Sequence, residues 1–176
     1  MSKEIIAVVD EKDNIIGSTT REEAHTQGLR HREIYIYFIS NKKVLLQRRK
    51  DNGLWDHSVG GHVGDKENYI TAAIREIEEE LGIKVSREEL EEIAYKQFDY
   101  QNDKTKNITF SKVFLLNKPI SLNNIAINKN ELFEVEFFTK HEIEEILLDK
   151  RDILTYHAKR ILKNLILKKL DEEKKE

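Results

Sequence analysis

Residues 61–83 read GHVGDKENYITAAIREIEEELGI, and the placement of charge in this stretch decides how the rest of the chain is read. Glu76, Glu79 and Glu80 stand at i, i+3 and i+4, a spacing that gathers side chains on one face of a helix. At 3.6 residues per turn the three carboxylates share an arc of roughly 100°. Ile70, Ala73, Ile74, Ile77 and Leu81 fall on a separate apolar arc. Like charges so placed repel by roughly 0.2–0.5 kcal/mol per pair. A divalent cation removes that penalty, because hard ions take several carboxylate oxygens. The competing reading is a solvated acidic helix, which suits a chain with 36% charged residues. Against it stand Gly61, whose backbone can turn sharply and approach a ligand, and Gly82, a natural helix stop. Arg75 sits among the acids, where its guanidinium can fix their orientation. The balance favours a metal site.

With Glu67 six positions after Gly61, the stretch has the form G-x5-E-x7-R-E-U-x-E-E-x-G-U, U being a bulky aliphatic. Gly61, Glu67, Arg75, Glu76, Ile77, Glu79, Glu80, Gly82 and Ile83 fill every fixed position. This pattern resembles the signature of the Nudix hydrolases. The resemblance implies an α/β fold, an α/β/α sandwich with a mixed β-sheet. It implies hydrolysis of a diphosphate linkage, commonly in a nucleoside diphosphate joined to another group, with Mg²⁺ or Mn²⁺. It also implies that Glu76, Glu79 and Glu80 bind the metal, with Glu67 in an outer role and the Gly61 carbonyl as a further oxygen ligand. Arg75 would orient the carboxylates. The base that activates water would be a signature glutamate or an acid such as Asp99, Asp103, Glu131 or Glu134.

Composition is compatible with a compact cytoplasmic enzyme. The 176 residues suit one domain, 1–176, with enough chain for a core. A formal net charge of −3 does not suggest a nucleic-acid polymer as partner. The absence of cysteine excludes disulfides, thiolate catalysis and zinc–thiolate sites. The opening MSKEIIAVVD is too short and too acidic to read as a signal peptide, and no stretch has the length of a membrane span.

Around the signature, Ile5–Val9 and Ile15–Gly17 read as a hairpin, and Thr20–Gln27 as a helix capped by Thr20 and stopped by Gly28. IYIYFI at 34–39 is hydrophobic at every position and belongs in the centre of a sheet. Val44–Arg49 is a second strand. Ser86 and Glu89 form a capping box for a short helix through Glu92. Further strands are expected over Ile93–Tyr100, Ile108–Leu116 and Leu132–Phe138, and helices over His141–Leu148 and Ile153–Leu170. The last carries an apolar stripe of Leu154, Ile161, Leu162, Leu165 and Ile166, to be covered by the domain's own sheet or by a second subunit in a homodimer. The tail Asp171–Glu176 is charged and expected to fray.

The N-terminal third is similar to one Nudix subgroup, through Arg21–His25, Gly28–Arg32, Leu45–Arg49 and Trp55-Asp56. That subgroup contains the isopentenyl-diphosphate isomerases, which use a cysteine and a glutamate beside a histidine-rich metal site. Here Gly60 stands where the cysteine is expected, and Asn107 and Thr109 where an acidic pair is expected. The isomerase reading therefore ranks below hydrolysis, as does a non-catalytic nucleotide-binding module, because no signature glutamate is missing. His25, His31 and His62 remain as a possible second metal site or as polar groups near the substrate. For substrate binding the candidates are His62, Trp55, which can stack or serve as a wall, and the strand neighbours Arg48 and Arg49. The two arginines point to opposite faces, so one reaches a phosphate and the other the surface.

Overall fold

The computed structural model describes residues 4–102 and 105–172. Its organising strand is β3 (His31–Ser40). One edge of β3 is taken along His31–Phe38 by the parallel strand β8 (Lys106–Leu116), which pairs outward with antiparallel β7 (Leu90–Gln101). The other edge is shared in succession. Strand β1 (Ile5–Val9) meets it at His31, β6 (Val59–His62) pairs with Glu33–Ile36, and β4 (Lys43–Arg49) joins at Ile39 and Ser40. Strand β2 (Ile15–Thr20) completes the hairpin with β1, while β5 (Trp55–Asp56) and β9 (Leu132–Thr139) flank β4. The sheet is mixed, as expected.

Strand alternation sorts the apolar run of β3 to two faces. Ile34, Ile36 and Phe38, with Leu45 of β4, pack under helix α2 (Tyr69–Leu81), against Ala73, Ile77 and Leu81. Tyr35 and Tyr37, with Val44 and Leu46, face the C-terminal helices on the opposite side. That second layer comprises α3 (Lys140–Leu148) and α4 (Tyr156–Ile161), which runs through a π-helical turn (Leu162–Ile166) into α5 (Leu167–Glu172). The result is an α/β/α sandwich with the C-terminal helix present.

Local signals explain the boundaries. Helix α1 (Arg21–Gln27) is capped by Thr20, whose hydroxyl accepts from the Glu23 amide, and ends at Gly28 in the left-handed region. Gly82 stops α2 in the same way, at φ 67°. The Ser86–Glu89 capping box is formed, but it starts only a 3₁₀ turn (Arg87–Glu89), and β7 begins at Leu90. The expected helix through Glu92 is absent because pairing of Leu90–Glu92 with Phe114–Leu116 takes those residues into the sheet. The C-terminal helix starts at Tyr156 rather than Ile153, since the Trp55 amide donates to the Ile153 carbonyl and the Trp55 carbonyl accepts the Thr155 amide, holding this segment extended. Of the tail, Asp171 and Glu172 complete α5, and Asp171 pairs with Lys140 at 2.7 Å; residues 173–176 lie outside the described residues.

The apolar stripe of the C-terminal helix is covered within the chain. Leu154, Ile161, Leu162 and Ile166 are buried on the sheet, and Leu165 is partly so. Leu162→Glu is therefore expected to lower the thermal midpoint markedly, since an unpaired buried charge costs about 3–5 kcal/mol, while the mass in solution stays unchanged. Light scattering and a thermal melt check this together. A change of mass at an unaltered midpoint would mean that a second subunit covers the stripe.

Candidate active site

The signature builds one wall of a cleft of about 880 Å³. Arg75 lies at its base with each of its guanidinium N–H groups directed at an oxygen. Nε and Nη2 donate to the two oxygens of Glu67 at 2.8 and 2.9 Å, and Nη2 also donates to the His62 carbonyl at 3.1 Å. Nη1 donates to Glu76 at 2.7 Å and to Glu79 at 3.0 Å. Glu67 additionally accepts the Gly64 amide at 3.0 Å. One cation thus binds helix α2 to strand β6 and sets three carboxylates at once.

The acids are not equivalent, and they do not share a wet face. Glu76 and Glu80 are buried, while the side chain of Glu79 is about half exposed. Burial pushes the Glu76 carboxyl up to about 7, with Glu79 and Glu4 adding to the rise and Arg75 opposing it. Glu80 is pushed well above its ordinary value, by burial first and then by the nearby charges of Glu76 and Glu131. The side-chain amide of Gln47, oriented to satisfy both its ends, donates to Glu80 at 3.1 Å. Two buried acids beside a half-exposed third form an all-oxygen donor set, the chemistry that suits Mg²⁺ or Mn²⁺. The residues present fit such an ion.

Gly61 is required here for a reason other than backbone freedom. It lies in β6 opposite Ile34 and has no left-handed φ. A Cβ on it would lie 2.3 Å from the Glu76 carboxyl, so the missing side chain is the space that Glu76 occupies.

The other face of β3 brings a second group to the same cleft. His25, His31, Glu33 and His62 place their ligand atoms within 4.8 Å of one another. His25 Nε2 and His62 Nε2 are 3.1 Å apart, and His31 Nδ1 bonds the Leu29 carbonyl at 2.9 Å. His31 Nε2 is buried without a partner. Burial pushes His25 down to about 4 and lowers His31 too, which keeps both as neutral imidazoles, the metal-binding form. Burial acts to raise Glu33, but His62, His157 and His31 outweigh it and hold the carboxyl at about 2. Tyr35 donates its hydroxyl proton to Glu33, and the same oxygen lies 2.7 Å from His157 Nδ1. Sequence reading found the three histidines, and Tyr35 as a residue that could stack on a base or serve as a wall, but missed Glu33 and His157. Alternation along β3 puts Glu33 and Tyr35 on the face of His31, but only the fold brings His157 of α4 to them.

The remaining candidates divide. Arg49 lines the cleft, held by Asp51 at 2.9 Å and by Asp56 at 3.5 Å. Arg48 points away, to Glu134 at 3.1 Å and over the Phe133 ring, and is not among the residues that line the cleft. Trp55 is also outside the lining; its ring packs edge-on to Phe138 at 4.9 Å, in the layer under the C-terminal helices. Both lie outside the cleft lining, Arg48 because its strand register turns it outward and Trp55 because its ring packs against Phe138. Of the outlying acids, Glu131 lines the cleft, whereas Asp99 pairs with Arg30 and Glu134 with Arg48. Asp103 lies outside the described residues.

The family model of the NUDIX domain matches residues 29–159. The chain belongs to the Nudix family. It is 32% identical over 173 residues to YfcD of Escherichia coli (strain K12), named as an uncharacterized Nudix hydrolase, covering 93% of this chain and 91% of that protein. It is 27% identical over 181 residues to a protein of Photorhabdus laumondii named isopentenyl-diphosphate Delta-isomerase 2, with 96% of each covered. Other matches take in less of the relative: 18% of Nudix hydrolase 3 of Arabidopsis thaliana and, over 86 residues, 47% of a Yersinia pestis Nudix hydrolase. Among solved structures, DR0079 of Deinococcus radiodurans shares the fold, with a TM-score of 0.67 at 20% identity over 91% of this chain and 98% of that one. No helix among the described residues is long and apolar enough to cross a membrane.

Adjacent glycines give a test of the packing argument. Gly61→Ala should displace Glu76 and lower the thermal midpoint, an overpacking cost of about 1–3 kcal/mol. Gly60→Ala, whose Cβ would find its nearest neighbour at 3.4 Å, should melt near the wild type. Equal midpoints for the two variants would show that Gly61 is not the space for Glu76.

Proposed function

We infer that this chain, as one domain over residues 1–176, is a metal-dependent hydrolase that cleaves a diphosphate linkage in a nucleoside diphosphate or related small molecule by water attack on phosphorus. The observation that carries this is the pair of buried carboxylates, Glu76 and Glu80, opening on a large cleft with Glu79 beside them. Two buried acids this close are costly unless a cation joins them. Glu76, Glu79 and Glu80 would hold Mg²⁺ or Mn²⁺, with the Gly61 carbonyl and Glu67 at its margin. A bound divalent ion supplies Lewis-acid polarisation of phosphoryl oxygens and a lowered pKa for water. Arg75 acts through the glutamates, since its donors are spent on them. Arg49 offers its guanidinium to a diphosphate oxygen, in competition with Asp51. The proton released by water has the signature glutamates and Glu131 within the same cleft to receive it.

A second reading adds a cation at His25, His31, Glu33 and His62, supported by the unpartnered His31 Nε2. Isomerase chemistry remains the lesser alternative. Glu33 supplies an acid beside Asn107, which donates to it at 3.1 Å, but Gly60 leaves no thiol opposite.

Phosphate or nucleoside monophosphate release from a panel of diphosphates should require Mg²⁺ or Mn²⁺ and vanish with excess chelator. Glu79→Gln and Glu80→Gln should each lower kcat by about 10²–10⁴-fold with the fold intact. Full activity in chelator would remove the metal assignment.

The raised Glu76 value sets a pH dependence. Protonation is favoured in the fold, so the stability it contributes is present below about 4.5 and is lost as pH rises through about 7. A cation needs the ionised form, so the proton competes with it. Mg²⁺ affinity by titration calorimetry should weaken at least about tenfold from pH 8 to pH 6, and Glu76→Gln should reduce the dependence to the part that the raised Glu80 carries. An affinity that is flat across this range would contradict the assignment of Glu76.

A further inference from the structure

Arg49 is held on two sides by acids of unlike standing. Its Nε and Nη2 donate to the two oxygens of Asp51 at 3.0 and 2.9 Å, so Asp51 takes the forked edge of the guanidinium. Nη1 is directed at Asp56 Oδ2, 3.5 Å away. Both acids line the cleft. Asp51 lies only two positions along the chain, in the turn between β4 and β5, with 58% of its side chain exposed. Asp56 is buried in β5, and its other oxygen is fixed from three directions. Oδ1 accepts the His57 amide at 2.9 Å and the Thr155 hydroxyl at 2.6 Å, and His57 Nε2 stands 3.2 Å from it. The His57 ring is oriented in turn by the Tyr37 hydroxyl, 2.5 Å from Nδ1.

The forked edge of an arginine is the one that matches two oxygens of a phosphate. Asp51 sits on that edge as a local, exposed carboxylate. Exposed pairs of this kind hold weakly, so an arriving anion can take the place of Asp51. Asp56 has no such freedom, because moving it would strip the donors from a buried carboxylate. Its hold on Nη1 keeps Nε and Nη2 turned to the cleft when Asp51 departs. The brace reaches back to the C-terminal helix. Thr155 immediately precedes α4, and its amide donates to the Trp55 carbonyl at 2.9 Å, which sets its hydroxyl beside Asp56.

We propose that Asp51 is an exchangeable counter-ion on the phosphate edge of Arg49, and that Asp56, braced by Thr155, is the positioning residue that keeps this edge aimed into the cleft. The assignment rests on the diphosphate-hydrolase reading for the nature of the anion. It gives two acids on one arginine opposite effects on binding. Charge alone predicts the same sign for both, since each carboxylate repels an anion.

The test uses methylenediphosphonate, a diphosphate analogue whose P–C–P bridge resists hydrolysis, titrated into the full chain by calorimetry at fixed Mg²⁺. Asp51→Asn should tighten binding about threefold, the scale of an exposed ion pair. Asp56→Asn should weaken it about tenfold, the scale of one hydrogen bond to a charged group. Thr155→Val changes no charge and should weaken binding in the same direction as Asp56→Asn, while Thr155→Ser should restore it to within about twofold. Arg49→Lys, which keeps the charge without the fork, should erase the gain from Asp51→Asn. Tighter binding in both Asp51→Asn and Asp56→Asn would overturn the proposal, as would unchanged affinity in Thr155→Val. A gain from Asp51→Asn that persists in Arg49→Lys would also overturn it, as would a wild type that does not bind the analogue. Because the analogue is not turned over, the two readings fail separately. A chain that hydrolyses diphosphates without this pattern of signs loses only the roles of Asp51 and Asp56, and one that shows the pattern without hydrolysis loses only the catalytic reading.

Discussion

Arg75 holds together elements that would otherwise repel or drift. Its guanidinium reaches Glu67 in the loop before α2, Glu76 and Glu79 on the helix itself, and the carbonyl of His62 at the end of β6. A lysine, with its point charge on a flexible stem, has too few donors to reproduce this set in one geometry. The same contacts explain how a buried Glu76 is accommodated and why β6 approaches α2 so closely that residue 61 has no room for a side chain. The carboxylate wall of the cleft and the packing of one helix layer on the sheet thus depend on one fork of hydrogen bonds.

Strand β3 provides the other constraint. Its odd-numbered residues pass from His31, buried in the histidine cluster, through Glu33 and Tyr35, which line the cleft, to Tyr37 under the C-terminal helices, while Ile34, Ile36 and Phe38 support α2. A shift of one residue in its pairing with β8 would exchange the two sets and bury the polar groups beneath α2. The polar end and the apolar end of a single strand therefore set where the cleft stops and the core begins.

Much of this was legible in the amino-acid sequence. The signature carries helix period, stop glycine and donor chemistry together, and strands such as 34–39 are marked by β-branched and aromatic residues. What escaped was what depends on three-dimensional neighbours. Periodicity placed Glu76, Glu79 and Glu80 on a common face but could not separate the buried Glu76 and Glu80 from the half-exposed Glu79, because the separation comes from β6 and Gln47. Alternation predicted that Arg48 and Arg49 diverge, and only the pairing with β9 shows which one turns to the cleft. Trp55 looks like a ligand-stacking residue until the fold sets its ring against Phe138. Glu33 and His157 are separated by more than a hundred positions, so no local pattern joins them. Capping signals were sound as starts and poor as lengths: the Ser86 box was outcompeted after one turn by a strand partner.

The π-helical turn at Leu162–Ile166 marks how the C-terminal helix keeps its footing. In a regular α-helix, Ile161, Leu162, Ile166 and Leu170 would fan over about 180° at about 100° per residue, too wide for a single seam. All four are buried on the sheet, because the wider turn rotates less per residue and draws the later pair back. The segment behaves as though it holds one residue more than the seam needs. Lys163 and Asn164, both exposed, occupy the outer side of that turn. With one of them removed, an ordinary helix would bring Ile166 and Leu170 to the same face within an arc of about 100°. One more residue would push them off it. The helix is thus slack toward shortening and taut toward lengthening, an asymmetry carried by spacing rather than by the identity of any side chain.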